Sequence, residues 1–288
     1  MTNRCTDPAI EPRRLLPAVA FFGAFELAGC SVLVDADRPQ CAQDSDCAAR
    51  GAAFAGAVCR AGLCEVDPQW NCDAVLFGDA PSYQLTMHVQ EIVDFAPLPG
   101  VAAQLCRKLD VTCKDPVDST TSDSEGLVAM PIEAGFDGYV QFIDSRITPS
   151  LYFLTPPTTG DLDVPVRLTS PPVAAGIVAS AGGTTWLPDR GIILLNAFDC
   201  QGNPAANISY SIDSALTSDT FIFYLVNALP TTSVTATDYT GYGGLVNVPE
   251  GVTTISALLN PSRRQVSKLS VLVRKGFVSY SSVTPNSL

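Results

Sequence analysis

Histidine and charge are both scarce in this sequence. His88 is the one histidine among 288 residues, which excludes multi-histidine metal centres and leaves a single candidate for imidazole chemistry. Charged residues are 16% of the chain, below the roughly 25% of ordinary globular chains. Lys and Arg number 17 against 29 Asp and Glu, a net charge of −12. That shortage of cations argues against nucleic acid, which demands a basic face. No apolar run approaches the roughly 20 residues of a membrane-spanning helix. There is no Gly-x-Ser-x-Gly elbow and no His-Glu-x-x-His pair, and Gly182-Gly183 lacks a phosphate-loop fingerprint. What is abundant is apolar residues, at 47%, with 22 prolines and 21 glycines. A chain of this kind buries a core and turns often, and it is not of the disordered class.

Arg13 and Arg14 precede the apolar run 15–25, which Glu26 closes. Basic residues before a short apolar run form a secretory signal. The run ends in Leu27-Ala28-Gly29-Cys30. This resembles the lipobox of bacterial lipoprotein precursors. The resemblance implies removal of residues 1–29, a diacylglyceryl group on Cys30 and the membrane as a partner. Ser31, where an aspartate would retain the protein, implies the outer membrane of a diderm envelope, with the face undetermined. Stable anchoring takes more than one acyl chain. In a bacterial protein the sequon Asn207-Ile208-Ser209 goes unused.

Of ten cysteines, Cys5 lies in the signal and Cys30 is the lipid site, leaving Cys41, Cys47, Cys59, Cys64, Cys72, Cys106, Cys113 and Cys200. An even remainder in an exported chain fits four disulfides, whose connectivity the sequence leaves open. The expected pairing joins Cys41, Cys47, Cys59 and Cys64 among themselves. Cys106 and Cys113 close a short loop, and Cys72 and Cys200 remain to tie the module to the later domains. A segment this short has no core of its own, so covalent staples substitute. Its pattern resembles the cysteine-rich modules that follow the lipobox in lipoproteins of myxobacteria and relatives. Zinc is disfavoured by loose spacing and the lack of a nearby histidine. Asp35, Asp37, Asp44 and Asp46 lack the further oxygen ligands of a calcium loop and are expected to cap turns. No metal or cofactor is expected.

Beyond Cys72, short β-branched and aromatic runs alternate with turn residues, the pattern of an all-β chain. Tyr83 to Val89 alternates strictly. Runs at 101–105, 127–130, 139–143, 151–154 and 164–168 follow. Thr169-Ser170-Pro171-Pro172 reads as a linker or domain edge. Further runs lie at 174–179, 192–198, 208–212, 221–226, 233–237, 245–248, 253–258, 269–273 and 277–283. Leu127 to Met130 is apolar on both faces, as in a central strand. Gly126 to Pro131 echoes Gly244 to Pro249, and Pro99 to Ala103 echoes Pro204 to Ile208, with an insertion in the second copy. Such an echo indicates duplicated domains. The turns Asp94 to Gly100, Ser119 to Gly126, Cys200 to Pro204 and Thr237 to Gly241 resemble those of the carboxypeptidase regulatory-like family, a transthyretin-type β-sandwich. That family's module is non-catalytic. The expected organisation is all-β: a signal peptide at 1–29, a lipid-anchored cysteine-rich spacer at 30–75, and two tandem β-sandwich domains at 76–170 and 171–288.

Chemistry is sparse. His88 falls on the polar face of its strand with no oriented partner in sequence, so no catalytic residue is assigned. Asp161 and Asp163 sit on a loop facing water. Trp186, Tyr239 and Tyr242, with Tyr152, lie in or beside turns, where aromatics either stack on sugars or cover the end of a sandwich. The leading expectation is a non-enzymatic cell-envelope lipoprotein with a structural, adhesive or scaffolding role and an envelope protein as partner. The alternative is a carbohydrate-binding module for envelope or extracellular polysaccharide, with Trp186, Tyr239 and Tyr242 as ligand residues. A carboxylate-dependent hydrolase has least support. Intact-mass measurement of membrane-extracted protein is expected to show residues 1–29 missing and an acyl increment. An unmodified full-length mass overturns the lipid assignment.

Overall fold

The computed structural model describes residues 39–50, 54, 57–66, 69–70, 72, 81–182, 185–213 and 217–285. The signal segment and Cys30 lie outside the described residues. The cysteine-rich module contains α1 (Asp44–Ala48) and the hairpin of β1 (Ala57–Arg60) and β2 (Leu63–Val66). A first set of strands follows: β3 (Ser82–Glu91), β4 (Ala102–Arg107), β5 (Asp118–Thr121), β6 (Leu127–Glu133), β7 (Gly138–Ile143), β8 (Ser150–Leu154) and β9 (Leu162–Leu168). Helix α2 (Pro171–Gly182) leads to the second set. These are β10 (Arg190–Ala197), β11 (Ile208–Ile212), β12 (Phe221–Val226), β13 (Leu229–Thr231), β14 (Tyr242–Pro249), β15 (Gly251–Leu259), β16 (Arg264–Val273) and β17 (Val278–Val283).

The fold is all-β, two sandwiches in tandem, and they share a sheet. A nine-stranded sheet runs β13-β12-β14-β10-β17-β8-β7-β4-β5, and two three-stranded sheets run β6-β3-β9 and β11-β15-β16. The copies meet where β17 pairs in parallel with β8, with Val278 opposite Ser150, Ser279 opposite Leu151 and Tyr280 opposite Tyr152.

Side-chain alternation explains which sheet covers which face. Leu85, Met87 and Val89 of β3 pack on Val140, Phe142 and Leu154 in the first core. The second core gathers Ile193, Leu195, Ala197, Ile255, Ala257 and Val271, and it also takes Leu151 and Phe153 from β8. Successive residues of a strand point to opposite faces, so β8 sends Leu154 to one core and Phe153 to the other. The three-stranded sheets therefore cover opposite faces of the long sheet. Helix α2 covers what remains, with Ala174, Val178 and Ala181 on Ile192, Phe223, Val246 and Val278.

The two copies repeat one bond pattern. In the first, the Val89 amide donates to Gly126 O, Leu98 N–H to Val89 O and the Ser122 hydroxyl to Leu98 O, while Ser122 Oγ accepts Val101 N–H. In the second, Ala197 donates to Gly241 O, Ala205 to Ala197 O and the Thr237 hydroxyl to Ala205 O, while Thr237 Oγ1 accepts Ile208 N–H. Gly126 thus corresponds to Gly241, not to Gly244, and Val101 to Ile208, which corrects the register of the sequence echo. The reason is backbone geometry. Gly126 and Gly241 have φ of +77° and +75°, whereas Gly244 lies within β14. The second copy's connection is longer, with Ile208 and Thr237 separated by 29 positions against 21 for Val101 and Ser122. It crosses to build β12 and β13, where the first copy folds back as β5.

Other expectations need correction. The run 174–179 is helical, and Pro171-Pro172 form the first turn of α2 rather than a linker. Proline suits a helix start, alanine is the best helix former, and the buried positions 174, 178 and 181 follow helical spacing. Residues 233–237 form no strand. Strand β6 is an edge, not a centre. Its burial alternates, leaving Ala129 and Pro131 exposed, and Pro131 belongs on an edge because it has no amide to donate. Strand β5 extends through Ser119 to Thr121, which reads as turn in sequence.

A Cβ at Gly126 would stand 2.5 Å from Val89 O, and positive φ adds its own cost. Gly126→Ala and Gly241→Ala are each expected to lose about 1–3 kcal/mol, read as a lower denaturation midpoint with unchanged slope.

Candidate functional site

The cysteine-rich module is closed by Cys41–Cys59 and Cys47–Cys64. Cys41, Cys47 and Cys64 bring their sulfurs within 4.8 Å of one another, but each sulfur is committed to a disulfide. Asp44 accepts the Cys59 amide, and Asp46 accepts those of Ala42 and Gln43, so both carboxylates are engaged by backbone. Asp35 and Asp37 lie outside the described residues.

The described residues that follow the module, Gln69, Trp70 and Cys72, are fixed to the second copy. Cys72 is bonded to Cys200, at a sequence separation of 128. Trp70 is buried in the second core. The Cys200 amide donates to Gln69 O, and Gln69 Nε2 donates to Asp199. Burial pushes the Asp199 carboxyl up, but the amides of Asn203 and Gln201 outweigh it and hold the group below its ordinary 3.8.

Cys106 and Cys113 close a short loop. Asp110 caps it from within, accepting the amides of Thr112 and Asp115. From outside, the Tyr139 hydroxyl donates to Asp110 O, and Arg274 donates to Val111 O, Gln141 Oε1 and the Tyr139 hydroxyl. Arg274 follows β16 and so braces the two copies together. Leu109 protrudes from this fixed loop, 92% exposed. Sequence reasoning found the loop from its cysteines but not Arg274, which carries no local signal.

Trp186 lines an open groove of about 290 Å³ with Thr148, Pro149, Pro171, Leu187, Pro188 and Gly276. Its indole N–H donates to Arg190 O at 3.0 Å. Buried Asn247 pins the flanking backbone, accepting the Leu187 amide and donating to Thr185 O. Tyr239 and Tyr242 do not line this groove. Tyr239 is 76% exposed at the tip of the turn ending at Gly241, and half-buried Tyr242 sits on β14 opposite Asn196. Tyr152 lies in the joint beside Tyr280. Burial, then Tyr242 beside it, raises the Tyr152 hydroxyl, and burial pushes Tyr280 up to about 12.

His88 Nε2 lies 2.8 Å from Asp163 Oδ1, both side chains exposed. No third group orients the pair among the described residues. Every resolved carboxyl shift there is downward. The Ala42 amide does this for Asp46, the Asp115 amide for Asp110 and Arg146 for Asp144. Carboxylates held ionised in this way are poor general acids.

No family model matches the chain, and no curated protein matches it. Solved structures are similar at a distance. The shaft pilin SpaA from Lactobacillus rhamnosus GG is 11% identical, with a TM-score of 0.23 over 72% of this chain and 98% of that one. The minor pilin GBS52 of Streptococcus agalactiae is 14% identical, with a TM-score of 0.22 over 71% and 96%. The Bacillus anthracis TIE protein is 10% identical, with a TM-score of 0.25, and the match covers 71% of this chain but 34% of that one. At these scores the likeness carries no functional argument.

Two outcomes follow. Replacing both Cys72 and Cys200 by serine is expected to cost about 2–5 kcal/mol, with earlier proteolysis near residue 70. Asp199 stabilises fully above its ordinary 3.8, and that contribution is lost as pH falls through its lower folded value. Asp199→Asn should therefore flatten the acid dependence of the melting temperature below about pH 4.

Proposed function

We propose that this chain is a non-enzymatic cell-envelope lipoprotein, held to the membrane by lipid on Cys30, with a structural, adhesive or scaffolding role. The observation that carries the reading is Leu27-Ala28-Gly29-Cys30 at the end of the apolar run, followed directly by cysteines that close as disulfides. Disulfides persist in oxidising compartments, which supports export. A non-catalytic role is supported by carboxylates held ionised and by His88, which among the described residues pairs only with Asp163. The structural role rests on a long sheet braced by Arg274 and by Cys72–Cys200. Outer-membrane placement rests on Ser31.

Crosslinking of intact cells and identification of what copurifies with the lipidated protein tests the role. A stoichiometric envelope protein is the expected result, and a reproducible hydrolytic activity lost on mutating Asp161 or Asp163 would overturn it.

Polysaccharide binding is the second reading, favoured by the fixed indole of Trp186 in a groove of proline rings. It expects Trp186→Ala to abolish retention on a polysaccharide column. Tyr239→Ala and Tyr242→Ala, remote from that groove, should leave retention unchanged.

A further inference from the structure

Strands β10, β14 and β12 are neighbours that run in alternating directions. Asn196 of β10 lies opposite Tyr242 of β14, and Gly243 lies opposite Tyr224 of β12. The end of β10, the start of β14 and the end of β12 therefore share one end of the sheet. Three connections meet there: the loop after β10, the turn 238–241 before β14, and the hairpin between β12 and β13. The first of these holds Cys200, which takes the chain arriving from the cysteine-rich module through Cys72 and Gln69. The polypeptide that leads back to Cys30 thus enters the sandwiches at this end. Cys30 and Pro39 are nine positions apart, a reach of at most about 30 Å. Lipid on Cys30 would keep the module, and the end it is joined to, near the bilayer.

Two large apolar side chains project at this end without serving a core. Ile222 and Tyr224 face the second core. The same face of β12 runs on to Val226, which lies opposite Leu229. Leu229 is 69% exposed, and Tyr239, at the tip of the neighbouring turn, is 76% exposed. Asn227 and Ala228 close the hairpin with φ of +52° and +63°. Turns of this kind favour glycine at the second position, yet the chain carries a methyl there. From Thr220 to Thr237 there is no Asp, Glu, Lys or Arg, and Asp238 is tied to the amide and hydroxyl of Thr240. The first copy's counterpart connection carries Arg107, Lys108, Asp110, Lys114, Asp115 and Asp118. In a chain of net charge −12, a charge-free and partly apolar tip suits a lipid surface, which accepts leucine in its interior and tyrosine at its headgroups.

We propose that the β12–β13 hairpin and the 238–241 turn are a second, non-covalent membrane contact, with Leu229 in the acyl region and Tyr239 at headgroup level. The proposal rests on the lipid anchor at Cys30 and adds an orientation to it. Two side chains are too few to hold the molecule alone, but a second weak signal steadies one already anchored. The molecule then stands on the end that receives the tether. The groove beside Trp186 lies before β10, at the opposite end of that strand, and opens away from the bilayer.

The test uses the protein extracted from its own membranes and placed in phosphatidylcholine vesicles whose brominated acyl chains quench nearby tryptophan. Leu229→Trp and Tyr239→Trp are the reporters. Val252→Trp is the control, since Val252 is 63% exposed just beyond the end of β14 that pairs with Arg190. Relative to wild type, the added emission is expected to be quenched at 229, less at 239 and not at 252. Adding Leu229→Asp to Tyr239→Trp is expected to abolish quenching at 239. Molar salt is expected to change nothing, because no charge takes part. No quenching at 229, equal quenching at 229 and 252, or quenching at 239 that survives Leu229→Asp each overturns the proposal. Should Leu229→Trp fail to fold by circular dichroism, Tyr239→Trp decides, and its absence of quenching overturns the proposal. Intact mass of the same samples judges the lipid on Cys30 separately. If Cys30 proves unmodified, the anchor reading falls by itself. The hairpin is then tested on nickel-chelating lipid in the same vesicles through an N-terminal histidine tag on the full chain, and the same quenching outcomes decide.

Discussion

Three residue pairs between β8 and β17 decide the architecture. Because Ser150 to Tyr152 accept Val278 to Tyr280 as sheet neighbours, two sandwiches become one continuous sheet instead of two bodies on a linker. Everything else adapts to that pairing. Strand β8 has to serve two cores and is apolar on both sides. The second copy's half of the sheet is left uncovered on one face, and α2 fills it. Arg274 reaches from the end of β16 into the first copy and finds Tyr139 and Gln141 as acceptors.

Much of this was legible in sequence, and the failures have physical causes. The strand 82–91 announced itself through alternation, since a half-buried strand has a period of two. Helix α2 did not, because a short run of Val, Ala and Ile after two prolines satisfies both strand and loop patterns, and only its spacing over three turns distinguishes it. Strand β6 looked central because Ala129 counts as apolar in sequence, yet its methyl is small enough to leave in water. The duplication was visible, but its register was not. Apolar residues around Gly244 mimic those after Gly126, while the conserved feature is a backbone that needs positive φ at Gly241. Face and distance decide whether aromatics cooperate, which is why sequence could offer Trp186, Tyr239 and Tyr242 as ligand residues without showing that Trp186 stands apart from the two tyrosines.

The surface that remains divides into three kinds. Loops fixed by covalent or ionic braces present side chains such as Leu109 at almost no cost in ordering. The groove beside Trp186 is built from elements of both copies and from the first turn of α2, so it exists only because the joint exists. Several of the described carboxylates, among them Asp46, Asp110, Asp144 and Asp199, are by contrast engaged by backbone amides or by a neighbouring side chain.

The bond between Cys72 and Cys200 makes a closed covalent ring of everything between them, the whole first sandwich included. A pull applied upstream of Cys72 therefore enters the second sandwich at Cys200 and passes the first one by. Under load the first sandwich is a passenger, spared unfolding for as long as that sulfur bridge is intact, and a cut anywhere within it leaves both fragments still attached.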